Sequence, residues 1–293
     1  MLKKIRLAAA CLPLLLTLPL SLQAASTAEN PVIAEALLLE SELDARLGIS
    51  LLDTGSHEQL SWRGQERFPL SSTFKPLACA ALLSRIDRGQ EQLDRQIFFD
   101  QADLVSYSPI TEQFTGTAGM SLGELCAATI AYSDNTAGNL VLDAIGGPAG
   151  LTRFLRSIDD PVTRLDRRET ELNEALPGDP RDSSKPDTMT MTLQKLLLGE
   201  VLQGESRRQL ESWMQHNQVG DALLRSALPE DWQIGDKTGA GGFGSRSITA
   251  IIRPPDREAV LVAIYITETE ASFDARNAAI ARLGKALVSW LDN

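Results

Sequence analysis

Histidine is scarce in this sequence, which has only His57 and His216 among its 293 residues. A hydrolase that activates serine through a histidine base needs one beside the nucleophile, and neither histidine lies in a pattern suited to that role. Basic residues are also few, because 28 Lys and Arg stand against 39 Asp and Glu, for a formal net charge of -11. Such an acidic chain disfavours nucleic acid as a partner, since that binding depends on basic side chains neutralising phosphates.

Long apolar runs are absent except at the N-terminus. There, three basic residues precede an apolar run at residues 7–22, and small residues follow at 24–28. This order predicts a secretory signal peptide over residues 1–25, cleaved between about 24 and 28, and hence a secreted, periplasmic protein. The run is too short and too interrupted by proline to be a good membrane span, so we expect no membrane association after cleavage.

Cysteine is limited to three residues, Cys11, Cys79 and Cys126. Cleavage of the signal peptide would remove the first of them and would take the formal charge from -11 to -14. Two cysteines in an oxidising compartment most often pair, so export predicts a disulfide between the remaining two.

The predicted strands cluster near the two ends of the chain. GISLLDT and QLSWRG form one predicted hairpin, and SITAIIR and AVLVAIYIT form a second one late in the chain. Helical patterns dominate between them. We expect an α/β fold of the α+β sandwich type, with an antiparallel sheet formed by both chain termini and flanked by helices, and an inserted all-helical subdomain.

The predicted boundaries follow from this order. Residues 26–293 form one domain, whose α/β part covers about 26–70 and 216–293 and whose helical part covers about 71–215.

Two short patterns suggest chemistry that their context does not support. Gly239, Gly241 and Gly244 fit the Gly-x-Gly-x-x-Gly dinucleotide motif, but that motif must open a helix, and here a strand pattern follows. Residues 119–123 fit the Gly-x-Ser-x-Gly nucleophile elbow, which needs a preceding strand and a histidine base. Ser121 instead forms a Ser-x-x-Glu capping box that begins a helix.

A third pattern places Ser72 three residues before Lys75 at the start of a helical segment. Residues three apart share a helix face, so the lysine amine can reach the serine hydroxyl. Serine is a poor nucleophile until a base takes its proton, and lysine can serve where histidine is missing. Alone, the pattern is common as a helix start, but SDN at 133–135 and KTG at 237–239 accompany it.

These three segments occur together in class A β-lactamases and penicillin-binding proteins. The chain resembles a class A β-lactamase along essentially its whole mature length. A fourth segment, RRETELN at 167–173 followed by Asp182, resembles the omega loop of that family. Many members have proline where this chain has Thr170, which leaves the geometry of the Glu169-Thr170 peptide open.

The resemblance implies four catalytic residues. Ser72 would attack the β-lactam carbonyl to give an acyl-enzyme, and Ser133 would pass a proton to the leaving nitrogen. Glu169 would activate the water that hydrolyses the adduct. Either Lys75 or Glu169 would begin acylation, and the sequence leaves these alternatives open.

The resemblance also implies binding and structural roles, without metal or cofactor. Backbone N-H groups of Ser72 and Ala240 would form the oxyanion hole, and an arginine on the next strand would help Lys237 and Thr238 to hold the substrate carboxylate. The implied substrate-binding residues are Asn135, Asn173, Lys237, Thr238, Gly239, Ala240, Arg246 and Tyr107. Cys79 and Cys126 match a frequent disulfide of the family, and Arg167 and Asp182 match an ion pair across the neck of the omega loop.

The implied function is hydrolysis of penicillins and some cephalosporins, which confers β-lactam resistance. The alternative is a penicillin-binding D-Ala-D-Ala carboxypeptidase or transpeptidase, or a penicillin-sensing domain. Those proteins also acylate their serine but lack a glutamate and an asparagine placed to activate water. Glu169 and Asn173 therefore favour turnover, and we expect a monomer that acts on a small β-lactam.

Overall fold

The computed structural model of the protein describes residues 30–116 and 119–292. The predicted signal peptide and Cys11 lie outside the described residues. No helix within the described ranges is both long and apolar enough to cross a bilayer.

A five-stranded sheet forms the centre of the fold, with the strand order β2-β1-β9-β8-β7 and every neighbouring pair antiparallel. The two predicted hairpins are β1-β2 and β8-β9, so the prediction of one sheet formed by both chain ends is confirmed. The strands are β1 Arg46–Asp53, β2 Gln59–Trp62, β7 Gln233–Ala240, β8 Arg246–Arg253 and β9 Val260–Thr267.

Helices cover both faces of the sheet and fill the central part of the chain. They are α1 Pro31–Leu43, α2 Lys75–Asp87, α3 Leu122–Ala131, α4 Asn135–Ala144, α5 Gly147–Ser157, α6 Pro186–Leu197, α7 Gly204–Gln215 and α8 Phe273–Leu291. Short two-residue strands pair as β3 Phe68–Pro69 with β6 Ser183–Ser184, and as β4 Gln96–Ile97 with β5 Met120–Ser121.

The central strand β9 contributes to both apolar cores. All eight of its residues are buried, as expected for a strand covered on both faces. Val262 and Ile264 pack in the core beneath α1 and α8, whereas Leu261 and Tyr265 pack in the core shared with α2 and α6. The 3-10 turn Ser71–Phe74, which carries the candidate nucleophile and runs into α2, packs against β7 and β8 of this sheet.

A disulfide joins two helices of the helical region. Cys79 of α2 and Cys126 of α3 are bonded with their Cα atoms 5.8 Å apart, and both are fully buried. This confirms the predicted pair. The capping box is also confirmed, because Ser121 Oγ accepts from the Glu124 N-H while Glu124 Oε2 accepts from the Ser121 N-H.

Replacing both cysteines in a Cys79→Ala/Cys126→Ala variant should lower the free energy of unfolding by about 2–4 kcal/mol, because the unfolded chain regains the freedom of a long loop. Urea denaturation measures the change. As a control, reductant in the urea series should lower the midpoint of the wild type and leave that of the variant unchanged. Equal midpoints for the two proteins without reductant would contradict the prediction.

Candidate active site

Four segments meet at one cleft of about 490 Å³ beside the end of β7. They are the turn that leads into α2, the connection between α3 and α4, the loop that contains Glu169, and the C-terminal half of β7. Each carries one of the four motifs, so chain segments far apart in sequence form a single site. Residues of the predicted site that line the cleft are Ser72, Tyr107, Ser133, Asn135, Asn173, Thr238, Gly239, Ala240 and Arg246.

Ser72 lies in a 3-10 turn, Ser71–Phe74, that runs directly into α2. The turn is held from outside, because the Leu70 N-H donates to the carbonyl of Asp182 at 2.8 Å. Thr73 Oγ1 donates to the Leu70 carbonyl at 2.7 Å. The Ser72 side chain is 8% exposed, and its hydroxyl donates to Glu169 Oε1 at 3.4 Å.

Lys75 is fully buried and lies at the centre of the site. Its Nζ donates to Asn135 Oδ1 at 2.6 Å and to the Ser133 carbonyl at 2.7 Å, and lies 3.1 Å from Glu169 Oε1. Burial lowers the pKa of Lys75, and the negative charge of Glu169 opposes that shift. Within the described residues the Ser72 hydroxyl bonds to Glu169 and not to Lys75, so the carboxylate links the lysine to the serine.

Asp134 fixes the geometry of the segment that contains Ser133 and Asn135. As the N-cap of α4, its fully buried carboxylate accepts from the Ala137 N-H at 2.8 Å. The same carboxylate accepts from the Thr111 N-H and hydroxyl, both at 2.9 Å. This anchors the segment that carries Tyr107, a residue that is 58% exposed at the cleft. Asp134 was not predicted as a site residue, although its position before a helix identifies it as a cap.

Glu169 is held at both its backbone and its side chain. The side-chain amide of Asn139 bonds to both backbone polar groups of Glu169. Its Nδ2 donates to the Glu169 carbonyl at 2.9 Å, and its Oδ1 accepts from the Glu169 N-H at 3.0 Å. Asn173 Nδ2 donates to Glu169 Oε2 at 2.5 Å. The Glu169-Thr170 peptide bond is cis. Asn139 was not predicted, because a bond to the backbone of a distant loop leaves no local pattern.

The neck of this loop is closed by Arg167 and Asp182. Arg167 Nε donates to Asp182 Oδ2 at 2.6 Å, while Oδ1 accepts from the backbone N-H groups of Asp166 and Arg167 at 2.7 and 2.9 Å. The carboxylate is buried and fully bonded, which makes it a strong charge-assisted clamp. Because the carbonyl of Asp182 also accepts from Leu70, the neck is tied to the turn that carries Ser72.

Lys237 adds a second buried ammonium group to the site. Its Nζ donates to Ser133 Oγ at 3.1 Å and to the Thr238 carbonyl at 2.9 Å. Burial, followed by the positive charge of Lys75, holds the pKa of Lys237 well below its usual range. The two lysines therefore lie on either side of Ser133, and the second of them resists protonation.

Arg246 enters the site from β8, opposite Ala240 of β7. Its Nη1 donates to the Gly239 carbonyl at 2.9 Å and its Nε donates to Asn277 Oδ1 at 2.7 Å. The guanidinium carbon lies 4.7 Å from the ring centroid of Phe273. Burial, together with the charge of Arg276, lowers the pKa of Arg246 to about 10. Asn277 and Phe273 both lie on α8 and were not predicted as site residues.

Asp236, next to Lys237, is a fully buried acidic residue that was not predicted as a site residue. Arg225 Nε donates to its Oδ1 at 2.6 Å and Asn217 Nδ2 donates to its Oδ2 at 2.5 Å. Burial raises the pKa of Asp236, and the charge of Arg225 opposes that shift. These contacts hold Asp236 in place within β7. They therefore also position the side chain of Lys237, the next residue of the strand.

Of the glycines after Lys237, Gly239 lies within β7 and the others lie in the turn between β7 and β8, which excludes the strand-to-helix geometry of a dinucleotide loop. The Gly242 N-H donates to the Asn173 carbonyl at 2.8 Å. A Cβ on Gly242 would lie 2.4 Å from the Glu174 carbonyl oxygen. The absent side chains thus let β7 approach the loop of Glu169. Within the described residues, no three metal-ligating side chains are grouped to hold an ion.

Residues 32–291 match the model of the beta-lactamase enzyme family. The chain belongs to this family. β-Lactamase AER-1 of Aeromonas hydrophila is 50% identical over 248 residues, which are 85% of this chain and 82% of that protein. An ancestral class A β-lactamase (GNCA) is 52% identical with a TM-score of 0.87, and the match covers 88% of this chain and 99% of that one.

A chromosome-encoded β-lactamase of Vibrio parahaemolyticus is 44% identical, with a TM-score of 0.86 and coverage of 88% of this chain and 98% of that one. The protein is therefore a class A β-lactamase, a hydrolase of β-lactams, and its α+β fold is that of the class.

Asn139→Ala should slow steady turnover by about tenfold or more, because it removes both hydrogen bonds that hold the Glu169 backbone. The deacylation step should slow more than acylation, which stopped-flow measurement of each step with benzylpenicillin would resolve. Thermal unfolding serves as the control for a general loss of stability. A lower Tm with unchanged turnover would contradict a positioning role for Asn139.

Proposed function

We propose that this β-lactamase hydrolyses penicillins, and some cephalosporins, through an acyl-enzyme on Ser72 and a water activated by Glu169. The observation that carries the proposal is the position of one carboxylate. Glu169 Oε1 contacts the Ser72 hydroxyl, and its Oε2 accepts from Asn173. A single buried group is thus in reach of both the nucleophile and the space from which water would attack the adduct.

Acylation begins when a base takes the Ser72 proton. Glu169 contacts the hydroxyl directly, and Lys75 is 3.1 Å from the same carboxylate oxygen. Burial lowers the pKa of Lys75, which makes its neutral amine form, the form that can accept a proton, easier to reach. Both groups can therefore serve as the base, with Glu169 as the direct acceptor in the arrangement described.

The tetrahedral state needs donors for its developing charge and a proton for the leaving nitrogen. Backbone N-H groups of Ser72 and Ala240, at the edge of the same cleft, serve as the donors. Ser133 is the proton donor, since Lys237 Nζ donates to its hydroxyl at 3.1 Å and Lys75 Nζ lies 3.4 Å from the same oxygen. The proton lost by Ser72 can return through these contacts to the lactam nitrogen.

The substrate carboxylate binds at the end of β7. Arg246 provides positive charge there, and Thr238 provides a hydroxyl at the cleft. Lys237 becomes an ammonium group there when the bound carboxylate offsets the effects that lower its pKa. The cleft extends past Asn135, whose amide would bind the side-chain amide of the substrate, and past the exposed ring of Tyr107. Gly239 lets β7 pack closely against β8 and the turn before α2, because a Cβ there would lie 2.5 Å from Ser247 Oγ and 3.1 Å from Ser71 Cβ.

Deacylation distinguishes a β-lactamase from a penicillin-binding enzyme. Asn173 Oδ1 is buried and lacks a hydrogen-bond partner within the described residues. A buried acceptor of this kind is satisfied when a water lies between Asn173 and Glu169. Glu169 can take a proton from that water as it attacks the acyl carbonyl.

The proposed setting is outside the cytoplasm, in the periplasm, where the protein acts as a monomer on small β-lactams. The disulfide between α2 and α3 supports this setting, because such bonds persist in oxidising compartments. The acidic net charge of -11 supports the absence of a nucleic-acid partner.

Glu169→Ala should abolish steady turnover of benzylpenicillin while leaving acylation detectable, so the adduct accumulates. Loss of the carboxylate removes the charge that raises the pKa of Lys75, which leaves more neutral amine to serve as the base. Mass spectrometry of the intact protein measures the adduct.

Glu171→Ala is the matched control, because it removes an exposed carboxylate from the same loop. It should turn over substrate like the wild type, and Ser72→Ala should form no adduct. Rapid steady turnover by Glu169→Ala would refute the assigned role of this residue.

Lys237→Ala should reduce kcat/KM for benzylpenicillin by about 10- to 100-fold, since it removes a charge-assisted hydrogen bond to the substrate carboxylate. The methyl ester of the same penicillin cannot form that ion pair, so the variant should lose much less activity against it. The ratio of kcat/KM for the acid to kcat/KM for the ester is compared between wild type and variant. The change in this ratio measures how much the contact of Lys237 with the substrate carboxylate contributes to activity.

Lys285→Ala, which removes an exposed lysine from α8, is the control for net charge and should leave the ratio unchanged. An equal loss for acid and ester in Lys237→Ala would contradict carboxylate binding by Lys237.

A further inference from the structure

A second concave site lies on the helical region, between the C-terminal end of α2 and helix α5. Its volume is about 260 Å³. Arg85 lies about 15 Å along the axis of α2 from Lys75, so this cavity is separate from the catalytic cleft. Its lining includes three arginines and three apolar residues, Arg85, Arg88, Arg153, Ala81, Ile145 and Phe154.

The arginines of this cavity differ from nearly all others in the described part of the chain. Most arginines there form ion pairs or donate to a carbonyl, but four have no side-chain hydrogen bond or ion pair: Arg85, Arg88, Arg153 and Arg208. Three of the four line this one cavity. Arg85 Nε is buried and lacks a partner, which is costly for a charged donor.

Two acidic residues nearby in sequence, Glu91 and Asp87, are already bonded to other groups. The carboxylate of Glu91 accepts from Arg95 Nε and Nη2, both at 2.8 Å. The carboxylate of Asp87 accepts from the Gln203 N-H at 2.7 Å and from Ser206 Oγ at 2.6 Å. Glu91 also lies close enough to Arg85 for their charges to interact, so it offsets part of the charge of that guanidinium group. The three guanidinium groups still place three positive charges around one cavity, on a chain whose formal net charge is -11.

Helix polarity explains two of the arginines but not the third. Arg85 and Arg88 lie at the C-terminal end of α2, where the helix dipole favours a cation. Arg153 Nη2, however, lies 3.2 Å from the point that a Cβ on Gly146 would occupy, and Gly146 is the N-cap of α5. A cation beside a helix N-terminus is repelled by the dipole unless an anion lies between them.

We propose that this cavity binds a small anion that bears phosphoryl groups, through Arg85, Arg88 and Arg153. Guanidinium groups present paired N-H donors that match phosphate oxygens, and several of them can share one multiply charged ligand. The N-terminus of α5 adds a field that favours an anion, and Ala81, Ile145 and Phe154 carry no charge. The charge of the ligand would therefore be balanced by the arginines and this helix end. The phosphoryl group can belong to a soluble compound or to a lipid headgroup.

Isothermal titration of the full enzyme with sodium pyrophosphate at low chloride tests the site. The wild type should bind it saturably, and Arg153→Gln should bind at least about tenfold more weakly, because one charge-assisted contact is lost. Lys285→Gln removes an equal charge from α8 and should bind like the wild type. Nitrocefin turnover, expected to be unchanged in both variants, verifies the fold.

Vesicles distinguish the two sources of the ligand. Retention on phosphatidylglycerol but not on phosphatidylcholine vesicles, lost in Arg153→Gln, identifies a lipid phosphate. Pyrophosphate binding without vesicle retention identifies a soluble ligand. Absence of saturable pyrophosphate binding, or equal weakening in Arg153→Gln and Lys285→Gln, would overturn the proposal, because the arginines would then act only through net charge or helix polarity.

Discussion

The rest of the active site depends on a contact between two buried charges, Lys75 and Glu169, whose Nζ and Oε1 atoms lie 3.1 Å apart with both side chains fully covered. Desolvation of two such ions costs several kcal/mol each, and their attraction offsets this only when the remaining donors and acceptors are also bonded. Here they are. Lys75 donates to Ser133 and Asn135, and Glu169 accepts from Ser72 and Asn173. The residues that satisfy the pair are thus the residues proposed to carry out the chemistry.

This requirement explains why the Glu169 loop is so heavily fixed. Its carboxylate must stay beside the ammonium of α2, since a displaced partner would leave an uncompensated buried charge. Asn139 holds the loop from α4, and the neck at Asp182 ties it to the turn before α2. The glycines after β7 let a strand pack against the same loop. Three parts of the fold therefore constrain one carboxylate, and rigid placement of this kind is what electrostatic catalysis demands.

The sequence allowed prediction of the sheet, the disulfide and the segments that meet at the cleft, because strand alternation, cysteine count and short motifs are local signals. It did not identify Asn139, Asp134 or the contact of Arg225 with Asp236. Each of these acts on a backbone or a charge far away in the chain, so no spacing of residue types indicates it. The glycines after Lys237 likewise have a role that their spacing did not indicate. Their spacing fits a dinucleotide motif, whereas Gly242 is needed because a carbonyl of the neighbouring loop lies where its side chain would be.

The two buried lysines also explain how the carboxylate of the proposed substrate would change the protonation of the site. Lys237 resists protonation because it is buried and faces the charge of Lys75. A carboxylate bound beside Lys237 opposes both effects, since a nearby negative charge favours the ammonium form. Ser133 lies between the lysines, and its hydroxyl accepts from Lys237. Charging Lys237 strengthens that hydrogen bond and makes the hydroxyl a better proton donor, so the group that binds the substrate also prepares the step that releases the lactam nitrogen.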